Sequence, residues 1–216
     1  MSIKAVLWDM GGTLVESWKT TPLAGIPELL QYLRQNNVSI GVATNQAGPV
    51  WRAILEQEKY PTVDTIAGNL LTIAENLDIK DALWLISVSD ERLSGEKARM
   101  LALNIQNNFY DLLSKSFSSV FVSSNPEWRK PKPDMLLAAC REWLLPPSHV
   151  LYVGDMATDA EAAKNAGMPF CWAHEINAIK AACIALASER EGSTDYRIDK
   201  EGNVFGPFNP NAPYSQ

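Results

Sequence analysis

Ile3-Lys4-Ala5-Val6-Leu7-Trp8-Asp9-Met10-Gly11-Gly12-Thr13 opens the chain with a short apolar run that ends on an aspartate and a glycine pair. A run of this length, bounded by turn residues, has the pattern of a strand buried on both faces. Comparable runs rich in valine, isoleucine and tryptophan recur at Val38–Ala43, Leu83–Val88, Ser119–Val122, Val150–Val153 and Pro169–Trp172. Segments with helical spacing separate or follow them at Ile26–Gln35, Val50–Glu58, Val63–Leu77, Gly95–Phe117, Met135–Leu144, Asp159–Ala166 and Ile176–Ser188. The alternation predicts an α/β fold, a Rossmann-like three-layer sandwich in which a mostly parallel sheet carries helices on both faces.

Residues 1–188 read as a single domain of this kind. Within it, about 56–117 holds two long helical patterns around one strand, which fits sheet scaffolding with a small helical insertion better than a lid over the site, because lids are a minority among connections. Residues 189–216 read as a C-terminal tail. There Asp199-Lys200-Glu201-Gly202 is a turn pattern, and the prolines at 207, 210 and 213 follow it.

At 216 residues and 46% hydrophobic composition the chain can bury a sizeable core. Its formal charge is −6, with no block of lysine or arginine. That argues against broad electrostatic capture of nucleic acid or of an anionic membrane, and leaves room for a small anionic substrate met by one or two basic residues. The chain enters a strand within three residues, without a charged leader and long apolar stretch, so neither a signal peptide nor a spanning helix is expected and a cytoplasmic location is the default. Cys140, Cys171 and Cys183 form no close pair and read as buried, inert thiols. His149 and His174 border apolar runs and read as strand-edge residues. Nothing in the sequence sets an oligomeric state.

Four polar clusters follow predicted strands: Asp9; Thr44-Asn45-Gln46; Arg129-Lys130-Pro131-Lys132-Pro133-Asp134; and Gly154-Asp155 with Asp159. In a parallel sheet the residues beyond the carboxyl ends of the strands converge on one crevice. A carboxylate exposed by a Gly-Gly turn can act as a nucleophile or ligate a hard cation. Asp155 and Asp159 lie four apart across a strand-to-helix junction, and with Asp9 they make an all-oxygen set suited to Mg²⁺. Thr44 offers a hydroxyl and adjacent backbone N–H groups to a phosphate oxygen. Lys130 supplies positive charge to a phosphoryl dianion. Each cluster also has a plain reading: a turn or cap aspartate, a loop, a solvated linker, and for Asp134 or Asp159 a helix N-terminus. Four such clusters in order, each after a strand, make coincidence a poor account.

These residues resemble the four motifs of the haloacid dehalogenase-like superfamily: Asp9-Met10-Gly11-Gly12-Thr13, Thr44, Lys130-Pro131-Lys132-Pro133-Asp134 and Gly154-Asp155-Met156-Ala157-Thr158-Asp159. Val42–Gly48 and Arg129-Lys130-Pro131 look more narrowly like the histidinol-phosphate, heptose-bisphosphate and polynucleotide 3′-phosphatase branch, which has little or no separate cap. The resemblance implies a two-step phosphoryl transfer through an aspartyl-phosphate on Asp9. It implies Mg²⁺ held by Asp9, the backbone carbonyl of Gly11 and Asp155. Thr44 and Lys130 hold phosphoryl oxygens, and Asp159 fixes water or metal. Gly12, Thr13, Asn45, Gln46 and Arg129 are phosphate- or substrate-contacting candidates. A small phosphorylated substrate is implied; nucleic acid is disfavoured, with a 3′-phosphate end left open.

Two departures qualify the resemblance. Gly11 stands where the family has a second aspartate, a general acid/base worth about 10²- to 10⁴-fold, so the implied enzyme is slow or specialised; Glu16 is a conceivable substitute acid. The Cys/His zinc loop of some branch members is missing between Ser123 and Arg129. Gly11 also favours an alternative, a catalytically impaired relative that binds a phosphorylated ligand or a protein partner. A third reading, an interaction domain, would use Trp18, Trp51 and Trp128 as a contact surface.

Overall fold

A computed structural model describes residues 3–90 and 95–175, together with the short strand pair 197–198 and 204–205. Strands β1 (Ala5–Trp8), β2 (Ser39–Asn45), β3 (Leu83–Ser87), β4 (Ser119–Ser123), β5 (Val150–Gly154) and β6 (Phe170–Trp172) form one six-stranded sheet. All its pairings are parallel, in the order β4-β3-β2-β1-β5-β6. β1 and β5 are buried at every residue, as their uninterrupted apolar runs require.

The two faces of the sheet bury different helices. Val6, Trp8, Val42, Trp84, Ile86 and Val153 point to the face covered by α1 (Ile26–Gln35), α3 (Val63–Asn76) and α4 (Glu96–Leu113). Ala5, Leu7, Ala43, Leu85 and Tyr152 point to the face covered by α5 (Asp134–Trp143) and α6 (Ala157–Ala166). The alternation along each strand follows from the two-residue repeat of the extended chain. The result is the three-layer α/β sandwich expected. The chain winds outward from β1 to β4, then returns to place β5 on the other side of β1, so β1 is flanked by both halves of the winding. Ligands in such sheets bind beyond the carboxyl ends of the strands at this reversal.

The element boundaries follow local chemistry. Helix α1 has the expected limits, with Pro27 in its first turn. Helix α2 (Gly48–Leu55) starts two residues before the predicted segment because Pro49 suits a first turn, and it stops three residues early where Glu56 turns left-handed at φ 51°. The stretch 56–117 contributes α3, β3 and α4, and β3 lies inside the sheet between β2 and β4. Between β1 and α1, residues 9–25 form a loop with bridges Gly11–Val15 and Val15–Pro22. Strands β7 (Arg197–Ile198) and β8 (Val204–Phe205) pair antiparallel around Asp199–Asn203, which lie outside the described residues, as do the predicted helix Ile176–Ser188 and Cys183. Cys140 is buried as expected, whereas Cys171 on edge strand β6 is only half-buried; burial and the neighbouring Glu175 push its thiol up to about 11. Among the described residues no helix is long and apolar enough to cross a membrane.

Phe109 of α4 is fully buried in the larger core cluster. Phe109→Ala is expected to lower unfolding free energy by about 3–5 kcal/mol, read from the midpoint of urea denaturation.

Candidate active site

Beyond β1 and β5 the structure gathers Asp9, Lys130, Tyr152, Asp155 and Asp159. Asp9 follows β1 directly, and its backbone N–H donates to Val153 of β5, which extends the sheet pairing to the first site residue. The chain then turns tightly, with the Met10 carbonyl accepting from the N–H groups of Thr13, Leu14 and Val15. Gly12 has φ +83°, and a Cβ there would fall 2.1 Å from Asp155 Oδ2, so both backbone angle and space require glycine. Gly154 has a related duty: a Cβ on it would lie 2.4 Å from the Cβ of Asp159.

Lys130 is the centre of the cluster. Its Nζ donates to Asp9 Oδ1 at 2.5 Å, to the Tyr152 hydroxyl at 2.8 Å and to the Ala43 carbonyl at 3.0 Å, and it lies 2.7 Å from Asp159 Oδ1. The Tyr152 hydroxyl in turn donates to Asp159 Oδ1 at 2.9 Å, and Asp159 Oδ2 accepts the Met156 N–H at 3.1 Å. Asp159 therefore serves as a helix N-terminal cap and a site residue at once. Lys130 reaches this place from beyond β4, three strands away from β1, a span of about 14 Å at the usual strand spacing. After β4 a short 3-10 turn, Pro126–Trp128, redirects the chain. The Asn45 side chain then docks it by a reciprocal pair, its Nδ2 donating to the Lys130 carbonyl and its Oδ1 accepting the Lys130 N–H, both at 3.3 Å.

The electrostatics follow from burial. Lys130 is 4% exposed and Asp159 2%. Desolvation raises the Asp9 carboxyl to about 6, with Asp159 adding to the rise and Lys130 opposing it. Desolvation also acts to lower the Lys130 ammonium, but Asp9 and Asp159 outweigh it and hold the proton more tightly than usual. Burial first, then Asp159, raises the Asp155 carboxyl. With all groups ionised, three carboxylates against one ammonium leave a formal charge of −2. One oxygen from each of Asp9, Asp155 and Asp159 lies within 4.8 Å of the others. An all-oxygen, net-negative group of this kind fits a hard divalent cation.

The remaining sequence candidates take varied positions. Thr44 is buried near the end of β2, and its Oγ1 accepts from Gln46 Nε2 at 2.9 Å. Asn45 is committed to Lys130 as described. Arg129 points toward the end of β3, donating to the Ser89 carbonyl at 3.2 Å and lying 3.3 Å from buried Asp90. Ser89 and Asp90 line a cleft of about 740 Å³ together with polar Gln106 and Asn125 and apolar Met100 and Leu103. The Gly12 N–H donates to the Val15 carbonyl, and the Thr13 hydroxyl is buried with no partner among the described residues. A Cβ on Gly11 would meet nothing within 4 Å. Glu16 is paired with Lys19 on the exposed loop. Of the three tryptophans, Trp18 is 99% exposed, Trp128 packs on the smaller core cluster and Trp51 is half-buried against Tyr60. Sequence reasoning missed Tyr152; its one signal was a hydroxyl inside an otherwise apolar strand.

Residues 103–173 match the model of the haloacid dehalogenase-like hydrolase family, a stretch that includes Lys130, Asp155 and Asp159. A phosphoglycolate phosphatase from Rhodobacter capsulatus is 41% identical over 58 residues, 27% of this chain and 26% of its own length. One from Escherichia coli K12 is 39% identical over 57 residues, 26% of this chain and 23% of its own. The chain thus spans about a quarter of the curated relatives it matches. A solved structure from Mesorhizobium loti, provisionally named a HAD-like phosphatase, covers 86% of this chain and 88% of its own at 19% identity with a TM-score of 0.59, a likeness of fold. The family model thus covers about a third of this chain, and the structural likeness is one of fold.

Lys130→Met would leave Asp9 and Asp159 facing each other without a cation. A loss of about 3–5 kcal/mol in unfolding free energy is expected at pH 7. The Asp9 carboxyl, already raised by burial, would lose the opposing Lys130 charge, so the penalty is present at high pH and is relieved as pH falls through its raised value. Urea unfolding at pH 7 and pH 5 checks this; a variant equally stable to the parent at pH 7 removes Lys130 from its central place.

Proposed function

We propose that the chain is a Mg²⁺-dependent phosphohydrolase that cleaves a small phosphoester through an aspartyl-phosphate on Asp9, and that it is specialised for substrates needing little help with the leaving group. One observation carries this reading: Asp9 stands at the end of β1 against a buried Lys130, with Asp155 and Asp159 at the same mouth. A dianionic phosphoryl group and a carboxylate nucleophile repel each other, and a fixed ammonium between them lowers that barrier by preorganised electrostatics. Asp9, Asp155 and the Gly11 carbonyl would hold Mg²⁺, which supplies charge neutralisation at the phosphoryl oxygens. An Asp9 carboxylate oxygen attacks phosphorus as the leaving oxygen departs in line; water then attacks phosphorus and frees Asp9. Lys130 and Thr44 hold phosphoryl oxygens, with Gly12 and Thr13 shaping the turn beside them. Asn45 and Gln46 fix the positions of Lys130 and Thr44. Arg129, bonded to Ser89 and beside Asp90, connects the site to the cleft these residues line, where the organic part of the substrate would enter.

The position of Gly11 sets the specialisation. It lacks any group to protonate the leaving oxygen, and its Cβ direction opens into free space. An aryl or acyl phosphate, whose leaving group departs without a proton, suits such a site; so does a substrate with its own acid beside the ester. Gly11 also favours a second reading, a domain that binds a phosphorylated ligand without turnover.

Assay of the purified protein with Mg²⁺ against aryl, acyl and alkyl phosphates separates the readings. Turnover confined to the first two, abolished in Asp9→Asn, is the expected result; turnover that survives Asp9→Asn removes the nucleophile. Because Gly11 has open space and no positive φ, Gly11→Asp is expected to raise alkyl-phosphate hydrolysis by about 10²- to 10⁴-fold. Activity appearing only in Gly11→Asp favours the binding reading.

Cation affinity should also report on Asp9. Its carboxyl titrates at about 6 and must lose its proton to ligate. Mg²⁺ affinity is expected to hold above that pH and to fall about tenfold per pH unit below it. Isothermal titration between pH 5 and pH 7.5 tests this, and an affinity independent of pH excludes Asp9 as a ligand.

A further inference from the structure

Lys130 Nζ has four oxygens within 3.0 Å for its three protons: Asp9 Oδ1, Asp159 Oδ1, the Tyr152 hydroxyl and the Ala43 carbonyl. A phosphoryl oxygen can gain a bond from Lys130 only if one of these acceptors gives way. Releasing the Ala43 carbonyl would strand a buried backbone acceptor, and releasing Asp9 would strand a buried carboxylate, each at the full cost of desolvation. The Tyr152 hydroxyl is different. It donates to Asp159 Oδ1 at 2.9 Å, so it keeps a partner when Lys130 turns away.

Tyr152 also governs a competitor. Asp159 Oδ1 lies 2.7 Å from Nζ and also accepts from the Tyr152 hydroxyl, while Oδ2 is supplied by Met156 N–H. Without the hydroxyl, Asp159 Oδ1 would turn wholly to Lys130 in a charge-assisted bond, roughly twice as strong as a neutral one. A phosphoryl oxygen would then have to displace a carboxylate instead of a phenol. We propose that the Tyr152 hydroxyl is a positioning group that shares Asp159 Oδ1 with Lys130 and so frees a Lys130 proton for an incoming phosphoryl oxygen. This rests on the proposed phosphoryl site and goes beyond it, since no haloacid dehalogenase-like motif assigned above includes residue 152.

The test measures binding of inorganic phosphate by isothermal titration at saturating Mg²⁺, for the parent, Tyr152→Phe, Asp159→Asn and the double variant. Phenylalanine keeps the ring that packs beside Phe170 and removes only the hydroxyl. Expected is a roughly tenfold weaker phosphate affinity in Tyr152→Phe, about 1.4 kcal/mol, with Mg²⁺ affinity within twofold of the parent. The same substitution made in the Asp159→Asn background, where residue 159 no longer competes for Lys130 as a carboxylate, is expected to cost less than twofold. Phosphate affinity unchanged or tighter in Tyr152→Phe overturns the inference, as does an equal loss in both backgrounds, which would signify packing alone. A parent that binds no phosphate overturns the proposed function itself, whereas a parent that binds it with an indifferent Tyr152→Phe overturns only the role of Tyr152.

Discussion

Carboxylates do not gather in a protein interior without a cation among them, and in this fold that cation is the Lys130 ammonium. It draws Asp9 from the end of β1 and Asp159 from the first turn of α6 onto one atom. The attraction is strong because burial removes the water that would screen it, and for the same reason removing the ammonium is costly. The backbone is arranged around this point. Gly12 and Gly154 make room for Asp155 and Asp159, Asn45 clamps the Lys130 peptide, and Tyr152 carries a hydroxyl into the gap between ammonium and carboxylate.

The arrangement is polarised. The three carboxylates outnumber the one ammonium, so the mouth has a net negative charge suited to a divalent cation, with Lys130 buried beside it. Both demands are met on rigid elements: β1 and β5 are buried throughout, and Asp159 is tied to its own helix N-terminus. The one group not supplied is a proton donor at residue 11. A Cβ at residue 11 would meet open space.

Much of this was legible along the chain. Strand runs such as Val150–Val153 and helical spacing such as Ile26–Gln35 mark buried elements because a two-sided buried strand and an amphipathic helix leave different periods in the sequence. Asp9, Thr44, Lys130, Asp155 and Asp159 stood out because each is a chemically capable residue just past a strand. Less legible were the roles of neighbouring residues. Asn45 and Gln46 read as substrate contacts, yet their amides are spent on the Lys130 peptide and the Thr44 hydroxyl. Helix α2 begins and ends earlier than its apolar spacing suggests, since Pro49 and the left-handed Glu56 decide its limits.

The sequence by itself determined the layered α/β class, the strands and the chemically capable residues near their carboxyl ends, because periodicity and residue type are local properties. Only the tertiary structure decided that Lys130 crosses from the far edge of the sheet to Asp9, that Tyr152 joins it, and that Gly11 faces open space. Those facts depend on strand order and on which side chains meet in the folded interior, and distances between residues far apart in the chain are set by packing, not by sequence spacing.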